Sequence, residues 1–169
     1  MKVITSKVRF NFTNLFTPKK LEDSDELRYS LCILIPKSDL ETINKINEAI
    51  LNAKGKGLEK FKDLDNIKNP LRDGDKEKPD NENYKNHYFI NTTSKYQPGV
   101  VNKDLNKITN PEEIYPGCYG RVSINFYPFE KNGTSGIGCG LQNVQKICDG
   151  DKIGVSRPED DFDVIGDVF

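Results

Sequence analysis

Strict alternation marks the first element of the chain. In Lys7-Val8-Arg9-Phe10-Asn11-Phe12-Thr13 the apolar residues Val8, Phe10 and Phe12 share one parity, while Lys7, Arg9 and Asn11 share the other. That period of two predicts a half-buried strand with a basic outer face. After a polar loop through Pro18 and the acids Glu22 to Glu26, Arg28-Tyr29-Ser30-Leu31-Cys32-Ile33-Leu34-Ile35 is apolar on nearly every position, the pattern of an interior strand. Pro36 ends it. Ser38-Asp39-Leu40-Glu41 has the spacing of a capping box, with Ser38 accepting from the amide of Glu41 and Glu41 reaching back. Leu40, Ile43, Ile46, Ile50 and Leu51 follow at helical spacing, so an amphipathic helix is expected over 39–53, with Gly55 and Gly57 at its end or at a kink.

From 62 to 86 the chain is dominated by Asp, Asn, Lys, Glu and Pro, a long excursion of the kind that is usually functional or mobile. Order returns at Tyr88-Phe89-Ile90-Asn91-Thr92-Thr93-Ser94-Lys95-Tyr96, a β-rich stretch stopped by Pro98-Gly99. The clearest strand starts after Pro116-Gly117. There Gly120, Val122, Ile124 and Phe126 occupy one parity, and Tyr119, Arg121, Ser123, Asn125 and Tyr127 the other. Lys131-Asn132-Gly133 reads as a hairpin turn, since both central positions of a primed turn need positive φ. The return strand, 135–141, carries Gly136, Gly138 and Gly140, so one of its faces is bare backbone open to a ligand, a second backbone or a sharp coil. Short curved strands, one inserted helix and long polar loops predict a mainly β protein built as a small barrel.

At 169 residues, with 35% hydrophobic and 30% charged residues, the chain suits one domain with one core. No apolar run approaches the roughly 20 residues that span a bilayer, and the start lacks a signal-type stretch, so a cytoplasmic protein with reduced thiols is expected. Cys32, Cys118, Cys139 and Cys148 sit on apolar segments with no C-x-x-C pair and only His87 as an imidazole partner. Buried free thiols are the expectation, with no metal and no cofactor.

Charge is unevenly distributed. Lys2, Lys7, Arg9, Lys19 and Lys20 fall in the first twenty residues with no acid among them, while 158–169 holds Glu159, Asp160, Asp161, Asp163 and Asp167, no base, and Phe169 at the end. Setting those five acids apart from the chain's 26 leaves 21 acidic against 25 basic residues over 1–157, a body of net +4. A body over 1–157 and a disordered acidic tail over 158–169 are therefore expected, the tail too poor in apolar surface to offset its ordering entropy.

Catalysis finds little support. His87 is the only histidine, Ser135 lies in a sequence lacking the second glycine of a nucleophile elbow, and Gly136-x-Gly138-x-Gly140 is not a dinucleotide fingerprint. Asp73-Gly74-Asp75 is the residue pair from which a metal-dependent nuclease would be argued, although the glycine and terminal glutamate of an EF-hand loop are missing. A protein-interaction adaptor that binds no DNA is a further alternative. The outer parity of the strand from Tyr119 is more telling, because tyrosines beside arginine suit a platform where bases stack and phosphates meet cations. Lys7, Arg9, Phe89, Lys95, Tyr119, Arg121 and Tyr127 make up this expected binding face, with Lys131 at the hairpin tip.

These residues carry a resemblance. Tyr115-Pro116-Gly117-Cys118-Tyr119-Gly120-Arg121-Val122-Ser123-Ile124-Asn125-Phe126-Tyr127, then Gly136-Ile137-Gly138-Cys139-Gly140-Leu141-Gln142-Asn143-Val144-Gln145-Lys146 and Asp149-Gly150, resemble the C-terminal half of bacteriophage-type single-stranded DNA-binding proteins. Lys7-Val8-Arg9-Phe10, Leu71-Arg72-Asp73-Gly74-Asp75 and Ser94-Lys95-Tyr96 with Pro98-Gly99-Val100-Val101 extend it over most of the chain. The resemblance implies a five-stranded OB-fold barrel, non-enzymatic binding to single-stranded DNA, and a place in phage replication or recombination. The tail, with Asp160, Asp161, Asp163, Asp167 and Phe169, is similar to tails by which replication single-strand binders recruit partner proteins. For Leu71 to Asp75 the expected role is a turn that orders the long excursion.

Overall fold

The computed structural model describes residues 1–21, 25–156 and 158–166. Among them, eight strands join one sheet: β1 (Lys2–Ile4), β2 (Val8–Lys20), β3 (Leu27–Pro36), β4 (Arg72–Asp73), β5 (His87–Ser94), β6 (Gly99–Val101), β7 (Tyr119–Lys131) and β8 (Thr134–Cys148). Three α-helices accompany them, α1 (Leu40–Gly57) and the single turns α2 (Gly74–Glu77) and α3 (Pro158–Asp161), with 3₁₀ turns at Glu82–Tyr84 and Pro111–Glu113. The protein is mainly β, as its patterning predicts.

Antiparallel pairing joins β7 to β2, β2 to β3, β3 to β5, and β7 to β8. A parallel contact of Thr93 with Gly140 joins β5 to β8, so this chain of pairings returns to its starting strand. β1 lies on β7 beside Ser123 to Asn125, and β6 runs parallel to β8. The β7–β8 hairpin turns at Asn132 (φ 51°) and Gly133 (φ 80°), the two positive dihedrals that the Asn-Gly pair predicts.

Inward residues of alternate parity, including Val8, Phe10, Leu31, Ile33, Ile90, Val122, Ile124 and Phe126, form the main core. α1 closes it with Ile43, Ile46, Ala49, Ile50 and Ala53, where the small Ala49 and Ala53, one turn apart, let the helix approach the sheet. Asp39, not Ser38, caps α1, accepting from the Thr42 amide at 3.2 Å, and the helix runs past Gly55 to Gly57. Gly57 is required there, because a Cβ would come within 2.5 Å of both Phe61 and Pro128. Leu40 and Leu51, placed by spacing on the buried face, are exposed because the contact face is set by Ile43, Ile46 and Ile50.

The excursion over 62–86 is built rather than formless. Lys68 pairs with Gly136, β4 pairs with β5, and Asp73 caps α2 by accepting from the amide of Asp75. Lys37 Nζ donates to Asp73 and Asp75 at 2.7 Å each, and Asp75 accepts from the Asn86 amide, so Leu71 to Asp75 orders the excursion as expected. The segment lays Tyr84 over the outer face of β3 and β5, making a second small core with Cys32, Leu34 and Phe89. This covering explains why β3 is apolar on both faces. Cys32, Cys118 and Cys139 are buried, whereas Cys148 is exposed at the end of β8.

Two departures alter the outer surface. Phe89, expected on the binding face, is 2% exposed, with the Tyr84 ring edge-on at 5.2 Å and Arg72 stacked over it at 4.9 Å. Its parity is outward, but the excursion covers it, so no base reaches its ring. Phe12, expected in the core with Val8 and Phe10, is 64% exposed. The β2–β3 register shifts between Asn11 and Asn14, and a bulge of this kind reverses which residues face outward.

Candidate nucleic-acid interface

The outer face of β7 and β8 follows from their register. Asn125, Tyr127 and Phe129 stand opposite Gly140, Gly138 and Gly136. Added Cβ atoms at those glycines would meet Asn125 Oδ1 at 2.4 Å, Tyr127 Cζ at 2.5 Å and Phe129 Cζ at 2.7 Å. The bare face of β8 is therefore a bed for three β7 side chains, not open backbone awaiting a ligand. Tyr127 rests against Gly138 on one side and keeps 41% of its surface open to solvent. Burial raises its phenol pKa, Cys139 adds to the rise, and the charge of Arg28 opposes it.

Arg28 brings a basic group to this tyrosine. It forms an ion pair with Glu26, whose carboxyl is held below the usual range first by that hydrogen bond and charge, then by Lys95 and Lys131. Lys95 and Lys131 thus lie within electrostatic reach of the Glu26–Arg28 pair, and Arg28 within reach of Tyr127. Arg28 was legible as the polar first residue of the outer parity of β3, ahead of Ser30.

A second group lies toward the other end of β7. Tyr119 pairs with Arg9 across β7 and β2, and its ring carries Lys7 Nζ at 5.4 Å and Arg9 Cζ at 5.7 Å. Gly150 backs the ring, since a Cβ there would come within 2.6 Å of it. Arg9 is heavily committed: its guanidinium donates to the Gly117 carbonyl, Asn83 Oδ1 and the Asp151 carbonyl. It clamps three segments together, leaving exposed Lys7 as the freer cation of this group.

Arg121 joins neither group. It is exposed and donates to the Thr5 carbonyl at 3.2 Å, above a shallow hollow that also contains Ile4, Leu105, Asn143 and Gln145. Asp73 and Asp75 also stand apart, and the Lys37 ammonium occupies the space between their carboxylates where a nuclease metal would sit. Among the described residues no helix is long and apolar enough to cross a membrane.

In the tail, Asp160, Asp161 and Asp163 are exposed, as are Phe162, Val164 and Ile165. Composition predicts no ordered element there, yet Pro158–Asp161 form one helical turn, with the Ser156 hydroxyl donating to Asp161. Asp167 and Phe169 lie outside the described residues.

Comparison with known proteins supports the resemblance in the sequence. A family model described as Enterobacter phage Enc34, ssDNA-binding protein, matches residues 1–168. "Putative protein p50" of Acyrthosiphon pisum secondary endosymbiont phage 1 is 31% identical over 163 residues, covering 89% of this chain and 85% of the relative. Among solved structures, a C-terminal truncation of the bacteriophage Enc34 single-stranded DNA-binding protein is similar with a TM-score of 0.79 at 27% identity, covering 90% of this chain and 88% of that one. The same phage protein in complex with ssDNA matches with a TM-score of 0.78 at 26% identity, covering 90% and 89%.

Proposed function

The chain belongs to the family of the Enterobacter phage Enc34 ssDNA-binding protein, and from that membership we propose that it binds single-stranded DNA, with little sequence preference and without catalysis, during phage or prophage DNA replication or recombination. The observation that carries this reading is the likeness in fold to a relative solved with ssDNA bound. The surface chemistry agrees with it. Aromatic rings give every base a face to stack on, and flanking cations meet phosphates whatever the sequence.

We read the returning ring of β2, β3, β5, β8 and β7 as an OB-fold barrel over 1–157, a reading supported by its five-strand order and by the single parallel contact that joins β5 to β8. DNA then runs along the outer face between the two basic and aromatic groups. Tyr127, Lys95, Lys131 and Arg28 hold one end of the strand, Tyr119 and Lys7 the other, and Arg9 fixes the shape of the second group. Arg121 contributes from the flank.

The tail over 158–169 serves as an anionic arm that competes with DNA for the basic face and recruits a replication or recombination protein through its acids and Phe169. Its opposite charge to the net +4 body supports this assignment. The working compartment is the host-cell cytoplasm.

Titration against single-stranded DNA, duplex and RNA at two salt concentrations tests the proposal. Single strands are expected to bind more tightly than duplex, because stacking needs base faces that a duplex hides, and affinity is expected to fall with salt as counterions are released. Equal affinity for duplex, or no salt dependence, overturns it.

A further inference from the structure

Phe12 is the most exposed aromatic of the barrel strands, and the structure holds it outward at a cost. Its φ of 48° lies in the left-handed region, which bulky side chains rarely adopt. Such an outlier persists only where its surroundings fix it. Here they do so on both sides of the residue. The Phe12 amide donates to Asn11 Oδ1, and Asn11 Nδ2 donates in turn to the buried Tyr84 hydroxyl at 2.9 Å. Asn14 Nδ2 reaches back to the Phe12 carbonyl at 3.4 Å while donating to Ser30 Oγ at 3.1 Å. Two asparagines anchored on other segments thus hold the bulge that directs the ring into solvent.

The position of the ring identifies what meets it. Arg9, three residues earlier on β2, belongs to the group around Tyr119 and Lys7. Ser30, which binds Asn14, pairs with Thr93 on β5 and lies two residues from Arg28, leading to the group around Tyr127 and Lys95. Phe12 therefore stands on the path between two cationic groups, with a polar floor of Asn14, Ser30 and Thr93 beside it. An apolar partner protein would be poorly matched to such a floor. A nucleobase is well matched, because it offers a flat face to the ring while its sugar-phosphate reaches the cations on either side.

We infer that Phe12 is a base-stacking residue at the centre of the single-strand path, displayed by the Asn11–Tyr84 and Asn14–Ser30 hydrogen bonds. The inference rests on the single-strand-binding reading above and adds to it a residue that joins the two groups.

Titrations with a fluorescent oligodeoxythymidine test it on the full chain and on Phe12→Ala, Phe12→Gly and Phe12→Trp. The Ala and Gly chains are expected to lose about 5- to 150-fold in affinity, the range for one base stack, with no change in the slope of affinity against salt because no cation is removed. Phe12→Gly separates binding from folding: glycine accepts a positive φ freely, so thermal stability is expected to hold or rise while affinity falls. The chain contains no tryptophan, so Phe12→Trp introduces a single reporter whose emission is expected to be quenched at saturating oligonucleotide with affinity retained. Failure of the unaltered chain to bind the oligonucleotide sinks the functional reading and this inference with it. Binding by the unaltered chain with undiminished affinity in Phe12→Gly, or a tryptophan emission that the oligonucleotide leaves unmoved, overturns the inference alone. A change in oligomeric state on Phe12→Ala with affinity intact also overturns it, and assigns the ring to a protein contact.

Discussion

Tyr127 lies across the backbone of Gly138, its registered partner on β8, so closely that a Cβ there would stand 2.5 Å from Cζ of the ring. The glycine sets the height and tilt of the ring, and with them the face offered to a base. Gly138→Ala is therefore expected to leave the barrel folded, since the conflicting atoms belong to the far end of a movable side chain, while lifting Tyr127 from its bed. Loss of one stack costs about 1 to 3 kcal/mol of binding. A double-mutant cycle on single-strand affinity checks the coupling: Gly138→Ala should add little once Tyr127→Ala is present. Full additivity would mean that the glycine acts elsewhere.

Adjacent residues on β7 should give opposite readouts. Tyr127→Ala, and Tyr119→Ala in the second group, are expected to weaken DNA binding with little loss of stability, because neither ring joins a buried cluster. Phe126 is 5% exposed in the main core, and Phe126→Ala is expected to cost about 3 to 5 kcal/mol of folding free energy. Denaturant unfolding and oligonucleotide titration on the same three chains decide the matter. Tyrosine variants as unstable as Phe126→Ala would place those rings in the core and remove the platform.

The extent to which the sequence was legible follows from the range of the interactions that decide each feature. The β7–β8 hairpin was readable because its signals are local: alternating parity from Gly120 to Phe126 and an Asn-Gly pair whose positive dihedrals recur in the structure. Glycines 136, 138 and 140 signalled close approach, but only the register identifies the visitors as Asn125, Tyr127 and Phe129. The outward turn of Phe12 and the burial of Phe89 were not readable. Both depend on Tyr84, 73 residues from Asn11 in sequence and within a segment with no periodicity to place it. Of the expected site, β7 supplied its own tyrosines and Arg121, while Arg28, outside the expected face, stands at the start of β3 opposite Lys19 of β2 and reaches Tyr127 only through the assembled sheet.

The Lys37–Asp73–Asp75 cluster sets a pH dependence. Hydrogen bonds from Lys37 are the foremost cause holding both carboxyls below the usual aspartate range. Groups with lowered folded pKa values add stability that is present above the unfolded value, about 3.9, and lost as pH falls through the folded values. Lys37→Met is expected to move both midpoints upward in carboxyl-carbon NMR titrations and to flatten the acid loss of stability in urea unfolding. Midpoints unmoved by the substitution would show that the lysine does not govern them. Since the ammonium already sits between the carboxylates, magnesium is expected to leave labelled DNA uncut.

The tail prediction rests on effective concentration. Five acids tethered to a body of net +4 stay near the basic face at an effective concentration on the order of millimolar, so a weak contact suffices to compete with DNA. A chain ending at residue 157 is expected to bind single strands more tightly than the full chain, most clearly at low salt, where the competing contact is least screened. Adding the peptide of residues 158–169 in trans should reverse the gain only at high concentration, because it forfeits the tether. Recruitment is a separate matter with a separate readout: the truncated chain should lose a replication or recombination partner that binds through a basic pocket, and Phe169→Ala alone should weaken that contact while leaving DNA affinity nearly unchanged. Equal or weaker DNA binding after truncation would eliminate competition, and a partner retained without the tail would eliminate recruitment, each leaving the other standing.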